Sequence, residues 1–182
     1  MALILLRHTT PAIAEGTCYG RTDLALASSF DAEYAQIKST LPPFTEVICS
    51  PLRRCRILAE RLAAEPDRHI AIDERLIEMD FGRWEGQRWD ALPRTELNAW
   101  AADFCHAAPH GGESVATLHR RVQGAIRDHA STTGDSLLVT HAGVIRAAFA
   151  PRLEQSLFET RVEFGGFRTL SLTNEASSQE RS

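Results

Sequence analysis

The sequence predicts an α/β fold built on a mostly parallel central sheet, and two observations carry that prediction. Short apolar runs, "ALILL" (2–6), "EVICS" (46–50) and "LLVT" (137–140), have the length and composition of strands buried on both faces. Between them lie segments whose apolar residues recur at helical spacing, the alternation of a sheet connected through helices.

The size fits this architecture. A chain of 182 residues suits one domain with a full core, and 43% apolar with 24% charged residues is ordinary for a globular protein. A net charge of −4 argues against a broad nucleic-acid or anionic-membrane footprint. It still allows a local arginine cluster to take a small anion.

Taken in order, the first strand covers Ala2 to Leu6 and delivers Arg7 and His8 before Thr9-Thr10-Pro11 stops it. A glycine-bearing loop, "AEGTCYGRTD" (14–23), follows. A helix is predicted from Phe30 to Leu41, with Ser28 or Ser29 as cap and Pro42-Pro43 as stop. "EVICS" is the second strand. Pro51 then suits a first helical position, with Leu52, Cys55, Leu58, Ala59 and Leu62 forming an apolar stripe. "HIAID" (69–73) is a short third strand.

Residues 74–112 show little simple periodicity and carry Trp84, Trp89 and Trp100, so they are expected to cover or line a site. Glu113 and Ser114 open the next helix. A strand at 137–140 leads into a helix beginning "VIRAAFA" (144–150), and "RTLSLT" (168–173) is the last strand. Residues 1–173 thus read as a single domain, and "NEASSQERS" (174–182) as a frayed tail.

Cys18, Cys49, Cys55 and Cys105 form no C-x-x-C pair and have no histidine at zinc-finger spacing. They read as buried thiols in a reducing, cytoplasmic protein, with no metal implied. The run at 2–6 is too short for a signal core or a membrane span.

Parallel sheets bind ligands beyond the carboxyl ends of their strands. Three strand ends here carry matching groups: Arg7-His8, then Arg53-Arg54 in the first turn of the second helix, then Thr140-His141-Ala142-Gly143. If those strands are neighbours, imidazoles, guanidiniums and helix N-termini converge on one crevice suited to a phosphate. Two cations at the positive end of a helix are unfavourable unless an anion joins them, which favours that reading.

The segments "LLRHTTP" (5–11), "SPLRRCRILAERL" (50–62), "ERLIEMDFGRWEG" (74–86), "PHGGES" (109–114) and "LLVTHAGVIR" (137–146) occur in the order found in the histidine phosphatase superfamily, which this chain resembles from Leu5 to about Ala148. The resemblance implies a three-layer α/β/α sandwich of the phosphoglycerate-mutase type. It also implies a metal-independent phosphomonoesterase with no cofactor, acting on a small phosphorylated substrate, with homodimers common in the family.

The same resemblance makes His8 the nucleophile that becomes phosphohistidine, with Arg7, Arg54 and a protonated His141 holding the phosphoryl oxygens and Arg53 in the variable place. Glu78 falls on the proton donor, which a poor alkoxide leaving group needs. Around these, Thr9 is expected to offer its hydroxyl or satisfy backbone. Backbone N–H groups near Cys18 to Gly20 would cradle phosphate, Arg21 would contact substrate or pair with Asp23, and Ala142 and Glu113 would sit near the site. Trp84 and Trp89 would pack under the covering segment or stack on an aromatic base. His69, His106, His110, His119 and His129 match no catalytic position.

Within the family, Thr9 stands where most members carry glycine. "CYGRTD" and the spacing of Trp100 before "GGES" resemble the branch acting on a nucleotide of the lower cobalamin ligand. Another small-molecule phosphatase is the alternative. A mutase fits less well, because the chain is short and Ala14 stands where an asparagine is expected. From a different class, a catalytically silent phosphate-binding module is disfavoured by the filled catalytic positions.

Overall fold

The computed structural model describes residues 1–64, 69–130, 134–155 and 160–171. Five strands, β1 (Ala2–Arg7), β2 (Glu46–Cys49), β3 (Ile70–Ile72), β4 (Ser136–Thr140) and β5 (Phe167–Ser171), form one sheet in the order β3-β2-β4-β1-β5. The first four are parallel to one another, and β5 runs antiparallel along β1. The last strand therefore begins one residue earlier than expected, and positions 172–182, including the expected tail, lie outside the described residues.

Alternation along the strands divides the core. Leu3 and Leu5 of β1 face one side, with Ile48 and Leu138, against α4 (Val115–His129) and α5 (Ala142–Phe149). Ile4 and Leu6 face the other, with Val47, Leu137 and Val139, against α1 (Phe30–Thr40) and α2 (Arg53–Leu62). Leu3 to Leu6 are at most 1% exposed. At roughly 1.5–3 kcal/mol for each fully buried aliphatic side chain, this strand is a principal anchor of the sheet. The result is the expected three-layer α/β/α sandwich.

The ends of the helices differ in detail from expectation. Ser29 occupies the N-cap position of α1, but its hydroxyl donates to Glu33 instead of accepting from the helix backbone. Leu41 is extended, as the residue before Pro42 prefers. Pro51 is not the first residue of α2. It turns the chain out of β2, extended Leu52 serves as N-cap, and the helix starts at Arg53. Asp23 of the glycine loop accepts from the Arg53 N–H at 2.7 Å, satisfying one orphan donor of that helix start.

The segment without periodicity folds as a cover over the sheet's carboxyl end. It holds three short 3-10 turns (Glu74–Leu76, Gly82–Trp84, Trp89–Ala91) and α3 (Arg94–Ala102). Its own small core joins Trp84 and Leu92 to Cys18, flanked by Phe81, Leu97 and Trp100. Glu96 ties it together, accepting from Trp84 Nε1 at 2.7 Å and pairing with Arg83 at 2.8 Å. Among the described residues, no helix is long and apolar enough to cross a membrane.

Candidate active site

Strands β2, β4 and β1 are adjacent, so the three suggestive strand ends meet. The β1–β4 ladder runs one residue past β1, where the His8 N–H donates to the Thr140 carbonyl at 2.9 Å. That register sets the His8 and His141 rings 5.1 Å apart, centroid to centroid, at 65°.

His8 is 1% exposed and its two ring nitrogens have different partners. Nδ1 lies 2.7 Å from the Thr9 carbonyl, which can only accept, so Nδ1 carries the proton. Nε2 lies 3.3 Å from Arg54 Nε, which can only donate, so Nε2 presents a lone pair. Burial, then the Arg54 and Arg7 guanidiniums, hold the imidazole well below its ordinary pKa against the opposing pull of the Thr9 carbonyl. His8 is thus a neutral imidazole with a lone pair in a cationic pocket.

Arg54 is fully buried on the first turn of α2, whereas Arg53 points outward. Its Nη1 donates to the Thr22 carbonyl and its Nη2 to the Gly20 carbonyl, both at 2.7 Å. The glycine loop therefore wraps the guanidinium with its carbonyls, and of the N–H groups from Cys18 to Gly20 that of Cys18 is taken by the Gln87 carbonyl. Gly20 has a steric reason, because a Cβ there would sit 2.0 Å from the Met79 carbonyl. Arg7 donates from Nη1 to the Val162 carbonyl at 2.6 Å and lies 3.7 Å under the Phe164 ring. Arg7 Nε and the Thr9 hydroxyl are buried with no partner among the described residues, the condition of donors prepared for an acceptor.

His141 is the fully buried N-cap of α5. Its Nε2 lies 2.7 Å from Ser50 Oγ and 3.5 Å from Cys55 Sγ. Burial first, then His8, Arg54, Arg121 and Arg7, push its pKa well below the usual value. These surroundings favour the neutral ring over the expected imidazolium. Low dielectric and surrounding cations oppose a further positive charge, and a neutral His141 acts as a hydrogen-bonding group.

Glu78 enters from the cover. Its Oε1 accepts from the Met79 N–H at 2.9 Å and its Oε2 from the Gly143 N–H at 3.2 Å, so the carboxylate sits at the start of α5. A Cβ at position 143 would lie 2.3 Å from Glu78 Oε1, which explains the glycine there. Glu78, Arg7, His8 and Ala142 line one cleft of about 340 Å³, walled by Tyr19, Met79, Phe81, Trp89, Trp100 and Phe104.

Other predicted residues fall outside this lining. Arg21, half exposed, approaches Asp80 at 3.9 Å and Glu113 at 3.7 Å rather than Asp23. Glu113 is buried in a two-point pair with Arg121 at 2.8 Å. Trp84 packs in the cover, whereas Trp89 is part of the cleft wall. Residues that the sequence pattern did not single out include Tyr19, whose phenol neighbours Arg7, Ser50 against His141, and Arg146, which joins Arg7 on the cleft wall. Ser50 could have been found as the polar residue closing a buried strand; nothing local singles out Arg146.

Known proteins share this arrangement of sequence and fold. The model of the Histidine phosphatase superfamily (branch 1) matches residues 3–173. An adenosylcobalamin/alpha-ribazole phosphatase of Salmonella typhimurium is 31% identical, over 96% of both chains. The alpha-ribazole phosphatase from Shigella flexneri superposes with a TM-score of 0.83 at 25% identity, covering 96% of this chain and 92% of that one. A phosphoglycerate mutase from Thermus thermophilus superposes at 0.72 with 30% identity, covering 93% and 92%. On the family match across nearly its whole length, together with the shared fold, this chain belongs to the histidine phosphatase superfamily.

Proposed function

We propose that the chain hydrolyses a phosphomonoester through a phosphohistidine on His8, and that its substrate is α-ribazole 5′-phosphate or the corresponding cobalamin phosphate. The observation that carries the chemistry is the fixed neutral tautomer of His8, its Nε2 lone pair held beside Arg54 in a buried cationic site. Similarity over 96% of both chains to a phosphatase of that substrate class supports the choice of ester. The aromatic wall of the cleft, which includes Trp89 and Trp100, suits a heterocyclic base.

In this reading, an arriving phosphate dianion displaces Arg54 Nε from the imidazole and takes its donors, together with Arg7 Nε and the Thr9 hydroxyl. Nε2 attacks phosphorus in line with the leaving oxygen; the N–P bond forms as the O–P bond breaks. Glu78 gives a proton to the departing alkoxide. Its carboxylate then takes a proton from water, which attacks the phosphohistidine and releases inorganic phosphate. The arginines hold the equatorial oxygens throughout, in a site shielded from solvent screening. A reducing, cytoplasmic setting belongs to the same reading, supported by the buried free thiols of Cys18, Cys49 and Cys55.

The test is phosphate release from α-ribazole 5′-phosphate with EDTA present, wild type against His8→Ala. Phosphoglycerates, sugar phosphates and 4-nitrophenyl phosphate run alongside. Fast release from the ribazole ester that survives EDTA and is abolished in the variant is expected. Release from other esters alone would discard the cobalamin assignment while keeping the histidine chemistry. No release from any ester, or release that needs added metal, would overturn the mechanism.

A further inference from the structure

Arg121 lies on α4 outside the cleft lining, yet its guanidinium reaches the backbone that carries Glu78. Nη1 donates to the carbonyls of Arg75 and Ile77, each at 2.6 Å, and Nη2 to that of Glu78 at 3.1 Å. Between those acceptors, the Leu76 carbonyl receives the Thr140 hydroxyl at 2.8 Å. Four successive carbonyls, 75 to 78, are therefore held by side chains of α4 and β4. The segment needs such a hold, because past Leu76 it belongs to neither helix nor strand.

The clamp has its own counter-ion. Nε and Nη2 of Arg121 form the two-point pair with Glu113, whose side chain is 6% exposed against 16% for Arg121. The pair closes a path from the start of α4 to the peptide of Glu78. A planar guanidinium can serve a carboxylate edge and three carbonyls at once; a lysine ammonium keeps the charge but not the fork. Glu78's carboxylate, by contrast, is steadied by two backbone N–H groups, one of them from its own neighbour.

We propose that Arg121, with Glu113 as counter-ion, is the positioning residue for the proton donor, an inference that rests on reading Glu78 as that donor. It touches no reacting atom. It holds the 75–78 trace so that the Glu78 carboxyl stays at the leaving-oxygen side of the cleft, where displacement by about 1 Å would cost on the order of 10²-fold in rate.

Leaving-group dependence separates positioning from general structural damage. Single-turnover phenol release is measured for 4-nitrophenyl phosphate, whose leaving group needs no proton, and for 4-methylphenyl phosphate, whose leaving group does. The proteins are wild type, Arg121→Lys, Glu113→Gln, Glu78→Gln and the double variant Arg121→Lys/Glu78→Gln. Glu78→Gln should slow the methylphenyl ester by about 10²-fold and the nitrophenyl ester little. Arg121→Lys should show the same bias at about 10-fold, and the double variant should be no slower than Glu78→Gln. Glu113→Gln, the gentler change, should show that bias in weaker form and carries the test if Arg121→Lys does not fold. Equal slowing of both esters by the Arg121 and Glu113 variants, with Glu78→Gln still selective, would overturn the positioning role alone. A Glu78→Gln variant without selectivity would remove the proton-donor reading, and this inference with it.

Discussion

At the scale of single residues, the site is built by denying His8 a proton. The Thr9 carbonyl takes the Nδ1 hydrogen, and Arg54 and Arg7 make a second proton costly. Because the folded pKa lies well below 6.5, the imidazole stays neutral as pH falls through the range where a free histidine charges. Nitrogen-detected NMR of the free protein should therefore show His8 as the Nδ1–H tautomer, with no imidazolium forming between about pH 8 and about pH 6. A titration midpoint near 6.5 would show that the arginines do not set its state. Arg54 is the other decisive residue, since one guanidinium reaches His8 and two loop carbonyls. Arg54→Lys keeps the charge and loses the fork, and kcat should fall by about 10²-fold in steady-state assays, the loss typical of removing one transition-state donor.

At the scale of elements, the start of α5 and the cover segment are fitted to each other. At Gly143 the Glu78 carboxyl occupies the space that a side chain would need, so a residue with a Cβ there has to push the carboxyl aside. Gly143→Ala should favour the helix by up to about 1 kcal/mol while displacing the Glu78 carboxyl. The expected outcome is a melting temperature that holds or rises together with a kcat lowered by about 10²-fold. Unchanged turnover would mean that the carboxyl moves aside without cost. The cover's aromatic residues Phe81, Trp89 and Trp100 line the cleft, and Glu96 ties the cover together through Trp84 and Arg83.

For the whole molecule, burying uncharged histidines makes stability depend on pH. His8 and His141 have folded pKa values well below 6.5, while in the unfolded chain they titrate near that value. Below 6.5 the unfolded state binds more protons, so stability falls as pH falls, by up to about 1.4 kcal/mol per pH unit for each histidine. Urea unfolding should show a loss of about 2 kcal/mol between about pH 7 and about pH 5.5. A flat profile would contradict neutral burial. A second decline belongs to more acidic solution. Burial pushes Asp73 up, but hydrogen bonds from Arg75 and His129 outweigh it and bring the carboxyl from 3.8 down to about 2. Its contribution is present above 3.8 and is lost as pH falls from there toward 2.

The sequence by itself determined the layers and the polar groups that gather at the site. Apolar runs too short for helices and too uniform for half-exposed strands could only be buried strands, and their last residues had to emerge at one edge of a parallel sheet. That is why Arg7, His8, the Arg53-Arg54 pair and His141 were legible as a cluster, whereas Glu78 and the choice of Arg54 over Arg53 came only with the family that the order of motifs suggests. Tertiary structure alone decided orientation and charge. Whether Glu113 faces substrate or Arg121 depends on how α4 meets a segment some forty residues earlier, and no local pattern records that contact. Gly20 and Gly143 answer to atoms of the cover, Arg146 reaches the cleft only through the docking of α5, and the neutral state of His141 follows from burial beside cations drawn from three other elements. Local sequence sets which side chains a strand end can offer. Long-range packing sets their neighbours, and through those neighbours their protonation and aim.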